Sequence, residues 1–381
     1  MDGDDRPRLR VVLDHFGLIE DDREPWRVAH PLSEILLLVV CGTVGACDDF
    51  EEIVEWGEDN LAFLRRFLPY HHGVPSARWL RILMNRIDPE LFSQAFLSWT
   101  AELRPDAPAL VALDGKTSRG SLDRTNGRAA LHLVSAFATR ERLVLGQEAM
   151  AAGGTEQETI LLLLERLGGK GRLKGSLVTI DAIACNAKTA EAVLDAGADY
   201  CLAAKANQPG LMGDIARYFG DAPPDQIATA VDIDKGHGRV EERRVSVSTR
   251  VDWLSGDRRF PGEYRFPKLA AIIKVEATTC EKDKKTKQIR YYVSSRAWTA
   301  EAFAEAIRGH WRIENALHWV LDVTFGEDAA KSRTRHGPAN MAVVRHFAFN
   351  LVRSVNDPRS LKLRRNKAAR NNQYLSQILN P

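Results

Sequence analysis

The 381 residues carry 44% hydrophobic and 27% charged side chains and a net charge of +2, the balance of an ordinary soluble globular protein long enough for two or three domains. Disordered and collagen-like classes are thereby excluded. The charge is unevenly placed, however: residues 329–381 hold eleven Lys/Arg against one acid, Asp357, so that segment is +10 and the remainder −8. A basic end on a mildly acidic body is the footprint of a polyanion contact, with a solvated basic helix face as the ordinary alternative.

Residues 1–24 are acidic and expected to be poorly ordered where they begin. From His30 to about Glu102 apolar residues recur at helical spacing, through HPLSEILLL, DDFEEIVEWG, SARWLRILMNRID and DPELFSQAFLSWTAEL. Ser33, Asp48 and Asp88 are candidate N-caps, and Pro89 suits a first helical turn. The run ILLLVVCGTVGAC, residues 35–47, follows 34 mostly polar residues; it is too short to span a bilayer and misplaced for a signal peptide, so it reads as a buried helix. Five scattered cysteines without a CxxC or Cys/His cluster point to reduced thiols, no zinc and a cytoplasmic protein. An all-helical N-terminal domain over 1–106 is expected, closed by LRPDAP at 103–108.

Periodicity then changes. Strands are expected at 109–114, 131–138 and 142–150, followed by the helix QETILLLLERL, the strand LVTID, the helix AKTAEAVLDAG, the strand DYCLAA and the helix QPGLMGDIARYF. A meander followed by β-α-β crossovers is the ribonuclease-H-like order, a mixed sheet flanked by helices. Residues 220–296 interrupt it with alternating, strand-like segments that are also basic, fifteen Lys/Arg against nine acids over 234–290. A long helix over about 299–323 carries HWRIENALHWVLDV, and the catalytic domain is placed at 107–330 with a basic helical segment at 331–381.

The stretch ALVALDGKTSRGS, 109–121, runs from apolar residues into Asp114, and GSLVTIDAIACN ends likewise on Asp181. In this fold order the two strands are neighbours, so carboxylates 67 positions apart meet at one sheet edge. Mg²⁺ prefers oxygen ligands, and two such ions can bind the attacking and leaving oxygens of a phosphodiester. The third acid is expected from the long helix: Glu314, with Asp322, Glu327 and Asp328 as rivals. A single strand-end Asp is more often a turn residue or cap; three acids in these places reverse that balance.

At these residues the chain resembles the ISAs-type, or H-repeat-associated, DDE transposases of bacterial insertion sequences: LDGKTSRGS, HLVSAFA with LVLGQ, VTIDAIAC, DYCLAAKANQ, HGRVEERR and above all IRGHWRIENALHWVLDVTFGEDA. The likeness spans roughly residues 25–381. It implies a ribonuclease-H-like nuclease core with a β insertion and an acidic triad falling on Asp114, Asp181 and Glu314, which would hold two Mg²⁺ ions, with Mn²⁺ as a substitute. It also implies cleavage at terminal inverted repeats, strand transfer into target DNA, a homodimer on DNA, no membrane partner, and a place on the bacterial nucleoid. The wider related group often carries Tyr, Arg and Lys around the Glu where Ile307, His310 and Leu321 stand here. A catalytically silent, transposase-derived DNA-binding protein is the alternative.

Further DNA contacts are expected at Lys116 and Lys205 on the catalytic edge, at Arg239 in GHGRVEERR, at Arg78 and Arg81 on a helix able to enter a major groove, and at Arg364 and Arg365 in the basic end. Each has a structural alternative: a hairpin for Arg239, a core helix with exposed arginines for Arg78 and Arg81. Trp298, Trp311 and Trp319 read as packing residues rather than base-stacking ones.

Overall fold

The structure, a computed structural model, describes residues 8–104, 106–204, 208–236, 239–254, 265–281 and 284–379. Among these, six helices come first: α1 (Arg8–Phe16), α2 (Leu32–Val44), α3 (Phe50–Asp59), α4 (Leu61–Leu64), α5 (Ala77–Met84) and α6 (Pro89–Leu103). Asp88 caps α6 as expected, with Pro89 in the first turn. Two other caps are corrected: Asp49, not Asp48, caps α3 by accepting from the Glu52 amide, and α2 begins after Pro31 rather than at Ser33. The run read as a buried helix is one. From Ile35 to Cys41 every residue is fully enclosed, and among the described residues no helix is long and apolar enough to cross a membrane.

The nine strands of the described residues make one sheet: β1 (Leu110–Ser118), β2 (Leu131–Ala138), β3 (Leu143–Ala149), β4 (Leu177–Ile180), β5 (Asp199–Ala204), β6 (Ala228–Gly236), β7 (Arg239–Ser248), β8 (Ala271–Glu281) and β9 (Lys284–Ser294), in the order β3-β2-β1-β4-β5-β9-β8-β7-β6. The first five have the ribonuclease-H-like arrangement, an antiparallel meander with β4 and β5 added in parallel. Helices α7 (Glu156–Gly169) and α8 (Ala187–Asp195) are the crossovers, and α9 (Pro209–Asp221) follows β5. The four strands of the insertion continue this sheet, since β9 pairs antiparallel with β5.

After β9 come α10 (Ala300–His310), a π turn (Glu314–His318) and α11 (Trp319–Val323), then α12 (Gly337–Ser354), α13 (Leu361–Ala368) and α14 (Asn372–Leu379). One hydrophobic core joins the first six helices to the last three, with Phe16, Phe92 and Phe96 packed on Phe347. A second core lies between the sheet and α7–α9, and a third between the sheet and α10.

Three of the eleven basic side chains of this end are inside. Arg364 gives hydrogen bonds to the carbonyls of Val352, Val355, Arg359 and Asp357, while Arg365 bonds the carbonyls of Thr43 and Thr324. At 7% and 3% exposure these two arginines close helix ends, which corrects the expectation that Arg364 and Arg365 are DNA contacts. Arg345 is buried as well, and Arg359 is bound to Asp357 at 2.6 Å. Lys331, Arg333, Arg335, Lys362 and Arg370 stay exposed.

Candidate active site

Strand β1 does not stop at Asp114, the end expected from the sequence. It runs on to Ser118 because the antiparallel partner β2 continues, pairing Asp114 with Ser135 and Ser118 with Leu131. What ends at Asp114 is the parallel pairing: Leu113 is matched to Ile180, the last residue of β4, and Asp181 follows at once. The two aspartates thus stand at the C-terminal edge of adjacent parallel strands.

Helix α10 brings the third acid. A Cβ on Gly309 would lie 2.6 Å from Leu110 Cδ2, so only glycine lets α10 settle this closely on β1. Five residues later Glu314 opens the π turn, a rare element that often marks functional sites. Within it His318 Nδ1 stands 3.5 Å from Glu314 and 3.7 Å from Asp114. One ligand atom each from Asp114, Glu314 and His318 lies within 4.8 Å of the others.

Asp181 lies outside that triple. It lines a small cleft with Thr179, Tyr292, His310 and Trp311. His310 senses both Asp181 and Glu314 electrostatically and links the two halves of the site. Its Nδ1 is 3.0 Å from Thr179 Oγ1, and burial pushes its pKa down to about 4, so the ring is neutral.

Burial pushes Asp114 up to about 7; Glu314 and Glu156 reinforce the rise and His318 opposes it. Glu314, more than half exposed, is held below the usual carboxylate range by His318. The two acids therefore divide the burden, Asp114 retaining its proton longest. Beside Gly115, the next residue, stands a further pair: His132 Nε2 is 3.0 Å from Glu156 and its Nδ1 is 2.9 Å from Thr117 Oγ1. Sequence reasoning misses His318 and this pair. The i, i+4 spacing of Glu314 and His318 is the available signal for the first.

The other expected site residues fall differently. Lys116 does not reach into the cleft: its Nζ is 2.7 Å from Asp322 and also bound to Glu327, and the side chain is 10% exposed. The same pairing engages the rivals Asp322 and Glu327, while Asp328 accepts from the Arg119 amide. Arg78 is exposed on α5, and Arg81 is bound to Glu51 at 2.7 Å. Lys205 lies outside the described residues, as does His237, and only the backbone of Arg239 is described. Trp311 packs beneath Arg290 and Trp298 beneath Arg296, as packing residues should; Trp319 is 56% exposed.

Residues 106–351 match the family described as transposase DDE domain, and residues 13–100 match the DDE_Tnp_1-associated family. The chain belongs to the transposase DDE domain family. Relatives of this transposase family include the "H repeat-associated putative transposase YhhI" of Escherichia coli (strain K12), 33% identical across 97% of this chain and 98% of its own length. The "Inactive transposase YbfQ" of the same strain is 34% identical over 18% of this chain and 80% of its own. Among solved structures, a piggyBac transposase synaptic complex with hairpin DNA aligns with 97% of this chain and 76% of that one, at 10% identity and a TM-score of 0.42.

Proposed function

We propose that this transposase-family chain cuts DNA at the ends of a bacterial insertion sequence and joins the freed 3′-hydroxyl to target DNA, with Asp114, Asp181 and Glu314 as the catalytic acids. The observation that carries the proposal is the convergence of Asp114 and Glu314, 200 positions apart, on one imidazole beside the strand that Asp181 directly follows. Both proposed steps are in-line attacks on phosphorus, so one site serves for both.

The donor set suits a hard divalent cation, Mg²⁺ with Mn²⁺ as a substitute: carboxylate oxygens predominate, two of them beside one imidazole nitrogen. When bound, a pair of such ions would lower the pKa of the attacking water or hydroxyl and offset charge on the phosphate. The protein's own part is positional. Asp114 sits on a rigid central strand and releases its proton as the site is loaded. Glu314, on the exposed side of the π turn, is free to adjust. His318 holds the two acids in register, and Lys116 keeps Asp322 and Glu327 from competing. No histidine base is required.

The substrates proposed are double-stranded terminal inverted repeats and target DNA, with a homodimer formed on them because two ends must be cut and joined together. The three-part domain plan at 1–106, 107–330 and 331–381 is proposed as end binding, catalysis and a supporting basic segment. The test is incubation of end-containing DNA with Mg²⁺. Wild type should cut, while Asp114→Asn and Glu314→Gln bind without cutting. A wild-type protein that shifts DNA in a gel yet leaves every strand intact would instead support the silent DNA-binding reading.

A further inference from the structure

A cavity of about 420 Å³ between α3, α5, the loop 326–334 and α12 takes no part in the chemistry above. Arg345 lines it. This side chain is 5% exposed, and among the described residues it makes no hydrogen bond or ion pair; Glu327 and Asp48 act on it only through space. None of its nitrogens is among the buried donors that lack a partner, so the guanidinium opens onto the cavity, where an acceptor can reach it.

The remaining walls show what that acceptor is. Lys331, Arg333 and Arg81 line the cavity beside Asn85 and Ser332. Three acids line it too, but each is engaged: Glu51 binds Arg81 at 2.7 Å, Asp48 lies 3.4 Å from Arg365, and Asp49 caps α3. Arg345 at the base shares the field of Glu327, while Lys331 and Arg333 at the rim have no acid partner among the described residues; a compact polyoxyanion matches this donor set.

We propose that this cavity holds one phosphate group of a DNA strand, gripped by Arg345 from within and by Lys331 and Arg333 from outside. The assignment to DNA rests on the proposed function. Its geometric support is the fastening of the cavity loop to β1: the Arg119 amide donates to Asp328 at 3.1 Å, Arg333 Nε donates to the Gly120 carbonyl at 3.3 Å, and Lys116 binds Glu327. A Cβ on Gly120 would collide with the carbonyls of Ala330 and Asp328, so the loop lies directly against the turn Arg119–Ser121 that follows β1. From Asp114 to Ser118 an extended strand covers about 13 Å, and the cavity loop is fastened to the chain just beyond it. Since α5 forms the opposite wall, the same phosphate would tie the helical N-terminal part to the catalytic sheet.

The test uses the full chain and an element-end duplex whose phosphates are replaced one at a time by neutral methylphosphonates. In wild type, one or two adjacent replacements should weaken binding about tenfold. Lys331→Ala with Arg333→Ala, and separately Arg345→Lys, should bind the unmodified duplex about tenfold more weakly and be indifferent to those replacements. The double variant alters only exposed side chains, so it decides the matter if Arg345→Lys fails to fold. Variants that bind like wild type, or that keep the same methylphosphonate sensitivity, overturn the proposal. Thermal stabilisation by inorganic phosphate that both variants lose, with no methylphosphonate effect, would make this a free-phosphate site and overturn the DNA assignment. Wild-type protein that binds no duplex at all would remove the proposed function instead.

Discussion

Lys116 reaches Glu327 in the interior, two residues beyond Asp114, and Glu327 is only 1% exposed. Burial opposes the charge on Glu327, yet Arg345 and Lys116 together hold its carboxyl below the usual range. Lys116→Ala should therefore cost about 3–5 kcal/mol in urea unfolding, since it strands a buried carboxylate. Adding Glu327→Gln should recover part of that loss. Equal destabilisation of the single and double variants would show that the pair is not the cause.

Asp114 predicts an opposition between function and stability. Its pKa is about 7 when folded and ordinary, near 3.8, when unfolded, so its favourable contribution is complete below about pH 4 and gone once pH passes 7. Asp114→Asn should raise the melting temperature of the metal-free protein at pH 8 and leave it almost unchanged at pH 4. Mg²⁺ should stabilise wild type at pH 8 and not this variant. Thermal scans at both pH values, with and without Mg²⁺, check both statements.

Two buried histidines predict acid lability. Burial pushes both His310 and His346 down to about 4, against 6.5 when unfolded. Stability from this source is therefore present above pH 6.5 and lost as pH falls towards 4, at a limiting slope of about 1.4 kcal/mol per pH unit for each ring. In His346→Gln that slope should fall by about one ring's share, measured by urea unfolding between pH 4.5 and 6. An unchanged slope would place the lability elsewhere.

The terminal arginines separate into two kinds. Arg364→Ala leaves five backbone carbonyls, that of Arg353 included, without this donor and should destabilise the fold by roughly 2–4 kcal/mol. Lys362→Ala with Arg370→Ala, both exposed, should keep the melting temperature and lower the salt dependence of DNA binding. If the exposed pair changes stability and Arg364→Ala does not, this division of the arginines is wrong.

Much of this was legible in the sequence because it rests on local signals. The β-β-β-α-β-α-β-α order follows from periodicity, and Asp114 and Asp181 stand out by their places within it, whereas choosing Glu314 over Asp322, Glu327 and Asp328 rests on the family resemblance of the stretch WRIEN. What escaped depends on tertiary pairing. Asp114 looked like a strand end because the chain turns polar there, but the polarity reflects loss of the β4 neighbour while β2 continues. Lys116, Arg364 and Arg365 looked like phosphate ligands because charge in a sequence carries no information about which carbonyl or carboxylate will be waiting for it. The site role of His318 needed the π turn, which no pattern of apolar residues announces.

The core shared by α2 and α12 has a bearing on biosynthesis. The apolar run beginning at Ile35 leaves the ribosome roughly 290 residues before its packing partner Gly337–Ser354. At about 5–20 residues per second, that leaves a greasy segment without its mate for roughly 15–60 s. A message cut short before α12 would yield a product that cannot finish this core.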